Sequence, residues 1–161
     1  MIKFFCGLVI ICITTYCGKL FARKYKKRVV FFTQMSEFNA KFLTEITYYK
    51  RPLSEFIVSC KTSGAWGQVL NLFIKNNKNS NKIHASLKEC IFLKKEEIDF
   101  VEEYMSFLGK GDSTSQNAYF LSKGKEIEIL KNTSIDENKR YSDLYWKLGF
   151  LLGLAILVLI A

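Results

Sequence analysis

The sequence predicts an all-α protein in which one apolar helix at each end flanks a small helical domain. Three observations support this fold class. The stretches Phe4–Gly18 and Leu148–Ala161 carry no charged residue. Apolar residues between them recur at helical spacing, and no segment alternates in the way typical of a β-strand. With 161 residues, the chain is long enough for one compact domain and not for two.

Residues 1–22 are predicted to form a first transmembrane helix. The uncharged run is slightly shorter than the roughly 20 residues that span a bilayer, and residues 20–22 extend it. A cleaved signal peptide is the alternative, because Lys3 precedes a short apolar run. No small-x-small cleavage site follows, and six of the ten residues from Lys19 to Arg28 are basic. These two features favour an anchor.

Residues 144–161 are predicted to form a second transmembrane helix. Their fourteen uncharged residues reach about 21 Å, and the aromatic residues and lysine before them suit the membrane interface. Gly149 and Gly153 form a GxxxG pattern, which lets two helices approach closely in lipid. These glycines either pack the two spans of one molecule together or dock other membrane subunits.

The net charge of +9 lies at the ends of the chain. Residues 29–138 hold 14 basic and 14 acidic residues, whereas the ends hold ten basic residues and one acid. Basic clusters beside membrane spans indicate a cytoplasmic side and attract anionic lipid. A nucleic-acid-binding domain would carry its charge on the folded part. We therefore expect residues 23–143 in the cytoplasm, both termini outside, and no nucleic-acid partner.

The first soluble helix is predicted from one apolar stripe and ended by the single proline of the chain. The stripe consists of Phe31, Met35, Phe38, Phe42, Ile46 and Tyr49. The helix should end near Arg51, because the residue before a proline avoids the helical conformation. Pro52 then suits the first turn of a second helix, Leu53–Lys61.

Glu45 lies three and four residues before Tyr48 and Tyr49. We expect its carboxylate to accept a phenolic hydrogen bond or to meet a base of the last helix, Lys139 or Arg140. We call residues 45–53, where the chain turns from the first helix into the second, the corner. The corner is interpreted as structural and not as a catalytic site.

Two short helices follow the corner. The third helix is predicted from Ala65 to about Ile74, and a polar loop, Asn76–Lys82, separates it from a short helix around Ile83–Cys90. The residues of the third helix expected to face the core are Trp66, Val69, Leu70 and Phe73.

Lys94–Leu108 is predicted to be an amphipathic helix, with Ile98, Val101, Met105 and Leu108 inward. Its opposite side gathers acidic residues, which are Glu96, Glu97, Asp99, Glu102 and Glu103. This acidic side is either solvated or docks a basic partner, in which case Glu96, Glu97 and Glu103 contribute.

The stretch Leu108–Gln116 is predicted to end one helix and start another. Gly109 and Gly111 suit the positive φ that ends a helix. Asp112 or Ser113 suits the cap of the next helix, and Ser113 with Gln116 matches a capping box. From Ser113 the chain is expected to remain helical to its C-terminus, with a weaker apolar pattern of Phe120, Leu121, Ile127, Leu130 and Ile135.

The sequence offers little for catalysis, a cofactor or a metal. His84 is the single histidine, and Cys60 and Cys90 stand alone without metal-ligand spacing. Cys90 follows His84 by six residues, so the two do not share a helix face. A membrane-tethered thiol enzyme using Cys60 or Cys90 remains an alternative.

Three motifs, in order, resemble a known family. They are E-I-x-Y-x-x-x-P-L (Glu45, Ile46, Tyr48, Pro52, Leu53), L-G-x-x-D-x-x-x-Q (Leu108, Gly109, Asp112, Gln116) and Y-x-x-L-G-x-L-x-G (Tyr145, Leu148, Gly149, Leu151, Gly153). With the terminal spans, this ordered set resembles the stage III sporulation protein AB family of endospore-forming bacteria over the whole length of the chain.

The resemblance implies a fold and a role. The fold would be a helical domain similar to the cytoplasmic domain of the type II secretion F protein. The role would be that of a non-catalytic platform in the mother-cell membrane, within an apparatus that connects mother cell and forespore. Its partners would be an ATPase, stage III sporulation protein AA, and other membrane subunits. No small-molecule substrate is implied, and a two-span adaptor of another secretion or pilus-like system is the alternative.

Overall fold

The computed structural model describes residues 2–60, 62–75 and 80–160, with side chains for 9–60, 62–75 and 83–159. Every regular element within these ranges is helical, which confirms the predicted all-α class. In chain order the elements are α1 (Ile2–Thr44), a π-helical turn (Glu45–Tyr49), α2 (Leu53–Ser59), α3 (Gly64–Lys75), α4 (Ser80–Glu89), α5 (Lys95–Phe107) and α6 (Ser113–Ile160).

The helices form two compact units. One consists of Met1–Val29 and Thr133–Ala161, and the other of Val30–Asn132. Helices α1 and α6 contribute residues to both units, whereas α2 to α5 belong to the second unit. We call the first the terminal unit and the second the helical domain.

The apolar stripe of α1 forms the centre of the helical domain. Phe31, Phe38 and Phe42 are each at most 4% exposed. The Trp66 ring of α3 packs edge-on against Phe31 and at a steep angle against Phe38, with ring centroids 5.5 and 5.6 Å apart. Burying such side chains stabilises the fold by roughly 1.5–3 kcal/mol each. All four residues of α3 expected to face the core are buried, as predicted.

A buried polar group joins three helices of the domain. The Tyr104 hydroxyl of α5 donates to Asn39 Oδ1 of α1 at 3.0 Å, and Asn39 Nδ2 donates to the Phe120 carbonyl of α6 at 3.1 Å. A Cβ at Gly124 would lie 2.7 Å from Asn39 Nδ2. A side chain at Gly124 would therefore press on the amide that holds α1 against α6.

Helix bounds differ from the prediction by a few residues. α2 ends at Ser59, where the Cys60 backbone N–H donates to the Phe56 and Ile57 carbonyls, and Lys61 lies outside the described residues. α4 begins at Ser80, so the predicted loop Asn76–Lys82 is helical over its last three residues, and 76–79 lie outside the described part. Polar residues that favour turns also favour helix starts.

Helix α6 runs from Ser113 to Ile160, as predicted. Phe120 and Ile127 are buried, but Leu121 is 56% exposed. The buried positions lie seven residues apart, close to two helical turns, and Leu121 is rotated about 100° from Phe120. Leu121, one residue of the predicted apolar pattern, therefore lies on the exposed side of α6.

Of the described helices, one is long and apolar enough to cross a membrane, namely Ser113–Leu159 in α6. In its most apolar stretch of 18 residues, 6% of the residues are buried, so this stretch does not pack into a core of the described structure. The predicted first span includes Met1 and the side chains of 2–8, which lie outside the described residues. The arrangement of two spans therefore stays a prediction.

Candidate functional site

The corner after α1 is built by a π-helical turn. The backbone N–H of Lys50 donates to the carbonyl of Glu45 at 2.8 Å, five residues back, and Lys50 adopts a left-handed φ of 52°. Pro52 is the N-cap of the next helix, α2. The sequence instead predicted Pro52 in the first turn of that helix. The chain thus reverses at Lys50, one residue before the predicted end of the helix.

The wider turn changes which side chains face inward. A π turn holds an extra residue, so positions after it rotate away from the α-helical stripe. Ile46 still packs against the core, but Tyr48 and Tyr49 are 76% and 67% exposed. The prediction that Tyr49 completes the apolar stripe is therefore wrong.

Glu45 is buried and bonds to Arg51. Its Oε1 accepts hydrogen bonds from the Arg51 backbone N–H at 3.1 Å and from Nε at 2.9 Å, and Oε2 accepts one from Nη2 at 2.5 Å. These bonds hold the pKa of the Glu45 carboxyl below its usual range. The predicted partners of Glu45 were a tyrosine hydroxyl, Lys139 or Arg140. Its partner is Arg51 instead, because the chain reverses at Lys50 and thereby places Arg51 beside Glu45.

The loop between α5 and α6 is held by its own side chains. Gly109 and Gly111 have φ of 72° and 84°, as predicted. Asp112 Oδ2 accepts hydrogen bonds from the backbone N–H groups of Thr114 and Ser115, each at 3.1 Å. Asp112 is therefore the cap. The hydrogen bond from the Ser115 hydroxyl, followed by these backbone bonds, lowers the pKa of its carboxyl.

Gln116 closes the loop and forms no capping box with Ser113. Its Nε2 donates to the Lys110 carbonyl at 2.9 Å and to the Gly111 carbonyl at 3.4 Å. Gln116 is 9% exposed. The reason is that Asp112 already accepts the amides of the first turn, which leaves the glutamine amide to bond the loop that precedes the helix.

The corner and the loop line one open groove of about 320 Å³. We call it the corner groove. Its residues are Phe42, Glu45, Ile46, Lys50, Arg51, Leu53, Phe56, Gly109, Gly111, Ser113 and Gln116. Two of the three sequence motifs, more than fifty residues apart in the chain, therefore meet at one surface.

The family model described as stage III sporulation protein AB matches residues 3–161. The chain belongs to the stage III sporulation protein AB family. No curated protein and no solved structure matches it. Membership in the family makes the chain a stage III sporulation protein.

The groove also contains residues outside the family motifs, among them Lys50, Arg51 and Phe42. The sequence did contain a signal for the first two, since a basic pair stands between Tyr49 and the only proline. It gave no signal that this pair would lie beside Gly109 and Ser113.

Several acidic residues of α5 bond to other residues of the same chain. Glu97 is 3% exposed, and its Oε2 accepts a hydrogen bond from the Lys94 backbone N–H at 2.9 Å. The expectation of an exposed Glu97 is therefore wrong, because its carboxylate folds back to cap the backbone N–H of Lys94 at the start of α5.

The other acids of α5 differ in what they contact. Glu102 pairs with His84, and Glu103 pairs with Lys123 at 3.2 Å. Glu96 is exposed and takes part in none of the ion pairs between described residues. A basic partner would thus meet fewer free carboxylates than the sequence suggested.

Gly149 and Gly153 lie against α1 within the terminal unit. A Cβ at Gly149 would lie 2.7 Å from the Thr14 carbonyl oxygen, and one at Gly153 would lie 2.8 Å from the Ile11 Cα. Gly18 makes the reciprocal approach, since its Cβ would lie 2.5 Å from the Tyr145 carbonyl oxygen. Of the two alternatives, the close approach occurs within one molecule.

The thiols are poorly placed for nucleophilic chemistry. Burial raises the pKa of the Cys60 thiol, which disfavours the reactive thiolate. The Cys90 thiol donates to the Ser86 carbonyl at 3.6 Å, and His84 pairs with Glu102. Within the described residues, no group of three His, Cys, Asp or Glu side chains could hold a metal ion.

Proposed function

We propose that this stage III sporulation protein AB family member is a non-catalytic platform subunit of a sporulation apparatus between mother cell and forespore. Two membrane spans hold it in the mother-cell membrane. Its helical domain faces the cytoplasm, where it docks an ATPase that resembles stage III sporulation protein AA. The protein then couples that ATPase to other membrane subunits.

The corner groove is the observation that carries this proposal. It gathers residues of two family motifs on one open surface of the helical domain. Its floor is apolar and its rim is charged, a combination that suits binding of a protein segment. Glu45 and Asp112 in this region have pKa values lowered by their bonding partners, which suits structural carboxylates and opposes a role as proton donors.

The membrane arrangement has support in the terminal unit. Helix α6 is long and apolar enough to span a bilayer. Gly149 and Gly153 approach the backbone of α1 as closely as small residues allow in paired membrane helices. The stretch of α1 paired with them, around Ile11 and Thr14, lies within the predicted first span.

The coupling role is supported by the two helices that contribute to both units. α1 contains Arg28 and α6 contains Tyr141, each inside a continuous helix. Inserting Gly-Pro after either residue should abolish sporulation, because a proline interrupts a helix. Normal sporulation of both insertion strains, at wild-type protein levels, would reject coupling through these helices.

Reconstitution tests the docking. The full chain is placed in nanodiscs that contain phosphatidylglycerol, and the purified ATPase is added at increasing concentration. We expect saturable co-sedimentation with these nanodiscs and none above background with empty ones. Equal sedimentation with both would reject ATPase docking, and full sporulation by a strain that lacks the protein would reject the role in the apparatus.

A further inference from the structure

One cation on the rim of the corner groove, Lys50, has no ion-pair partner among the residues that the structure describes. Both carboxylate oxygens of Glu45 bond to Arg51, so that pair is internally balanced. Lys50 also lines the groove, and none of the ion pairs between described residues includes it. The groove therefore presents one uncompensated positive charge to a ligand.

The backbone conformation of Lys50 would favour glycine over lysine. Its φ of 52° lies in the left-handed region, which costs a residue with a side chain roughly 1–2 kcal/mol and glycine almost nothing. A strained residue at a binding surface is grounds for a functional hypothesis. Lysine differs from glycine at this position by supplying a positively charged amine, and we infer that the amine has a binding role.

The groove floor is apolar and small. Phe42 and Phe56 are 4% and 3% exposed, and Ile46 and Leu53 pack against the same core. The groove volume of about 320 Å³ lies at the lower end of the range of ligand pockets. A pocket of this size accepts one apolar side chain of a ligand.

We propose that the corner groove binds a short acidic segment of a partner protein, which the proposed function identifies as the ATPase. One apolar side chain of the segment would lie on the Phe42–Phe56 floor, and a carboxylate would pair with Lys50. The inference rests on the proposed function only in naming the ATPase as the source of that segment. Its test requires no ATPase, so the two proposals can fail separately.

The test measures binding of a labelled peptide to the full chain. The probe is fluorescein-Asp-Asp-Leu-Asp-Asp, and the chain is held in phosphatidylcholine nanodiscs, which are zwitterionic. Fluorescence polarisation should give saturable binding. Replacing the central leucine of the peptide by serine should weaken binding about tenfold, since the apolar side chain would no longer be buried. Equal binding of the leucine and serine peptides would overturn the proposal.

Variants assign the charge contact. Lys50→Gly should weaken peptide binding about threefold to fivefold, the range of an exposed ion pair, without lowering the melting temperature, because glycine relieves the backbone strain. Lys50→Glu should weaken it further by repulsion. Lys125→Glu is the matched control, since Lys125 is exposed on α6 and does not line the groove. If Lys125→Glu and Lys50→Glu weakened peptide binding equally, the peptide would be held by the overall charge of the protein and not by Lys50. That result would overturn the proposed site.

A second pair of variants tests occupancy of the groove without touching its charges. Ser113→Trp adds a ring to a lining position, whereas Thr114→Trp adds one to the adjacent exposed position, which does not line the groove. We expect about tenfold weaker binding for Ser113→Trp and unchanged binding for Thr114→Trp. Unchanged binding for both would show that the peptide lies elsewhere.

Discussion

At the scale of single residues, the corner is fixed by one ion pair and one strained lysine. Glu45 bonds to Arg51 through both carboxylate oxygens and also accepts the Arg51 backbone N–H. The Arg51 guanidinium also lies over the Tyr49 ring, 5.5 Å from its centroid. This arrangement closes the corner and forms one side of the groove.

Glu45→Gln should reduce the pH dependence of stability in acid. Arg51 lowers the folded-state pKa of Glu45 below an unfolded value of about 4.3. The ion pair therefore stabilises the fold fully above that value, and its contribution is lost as pH falls through the folded-state pKa. Thermal melts followed by circular dichroism between neutral pH and pH 3 should show a smaller acid-induced drop for the variant.

Glu89→Gln is the control for this measurement, because Glu89 is exposed at the end of α4. It should behave as wild type. If Glu45→Gln kept the wild-type acid profile yet abolished sporulation, Glu45 would have a functional role and not the structural one assigned to it.

Tyr104→Phe should destabilise the helical domain by about 1–3 kcal/mol, because it leaves the buried Asn39 Oδ1 without the tyrosine donor. Chemical denaturation of the full chain in detergent measures the change. Tyr48→Phe removes a hydroxyl from a side chain that is 76% exposed and should have no measurable effect. A stability loss as large in Tyr48→Phe would contradict the role of the buried hydrogen bond.

At the scale of elements, α5 shows how a helix can use its polar side internally. Glu97 caps its own helix, and Glu103 bonds to α6 through Lys123. Lys123 also lies over the Phe100 ring, 5.0 Å from its centroid. Helix periodicity placed these acids opposite the apolar stripe, but packing against α6 decided that Glu103 pairs within the chain. Partner binding by Glu96 stays a prediction.

The pairing of α1 with α6 in the terminal unit gives a second element-scale prediction. Gly153→Leu should destabilise this pairing by about 1–3 kcal/mol, because its Cβ would lie 2.8 Å from the Ile11 Cα. Ala155→Leu is the matched control, because Ala155 is exposed on the same helix. Unfolding in detergent, followed by tryptophan fluorescence, should separate the two variants. Equal midpoints would contradict close packing at Gly153.

At the scale of the whole molecule, we predict that the chain crosses the membrane twice. Basic residues beside both apolar ends predict a cytoplasmic helical domain. Helix α6 meets the length and composition for a span. Two spans with both termini outside would leave Cys60 and Cys90 on the cytoplasmic side.

Thiol labelling tests this topology. In intact cells, a membrane-impermeant maleimide should not label Cys60 or Cys90, whereas a cysteine added after Ala161 should be labelled. Permeabilised cells should label all three, provided that a mild denaturant exposes the partly buried thiols. Labelling of Cys60 in intact cells would reverse the predicted topology.

The sequence by itself determined the helical class of this protein and most of its helices. Helical periodicity predicted α5 to within one residue at each end, because spacing of apolar residues is a local property. The positive φ of Gly109 and Gly111 was predictable for the same reason, whereas the sequence left the cap open between Asp112 and Ser113. The ordered motifs were sufficient to predict the family that the whole chain matches.

Only the tertiary structure decided which residues meet. The π turn rotated Tyr48 and Tyr49 outward, and the reversal at Lys50 gave Glu45 a partner that helical spacing does not predict. Packing of the domain brought this corner beside Gly109 and Ser113. Such contacts depend on how several helices fill one core, and that is a non-local property that no single segment of the sequence contains.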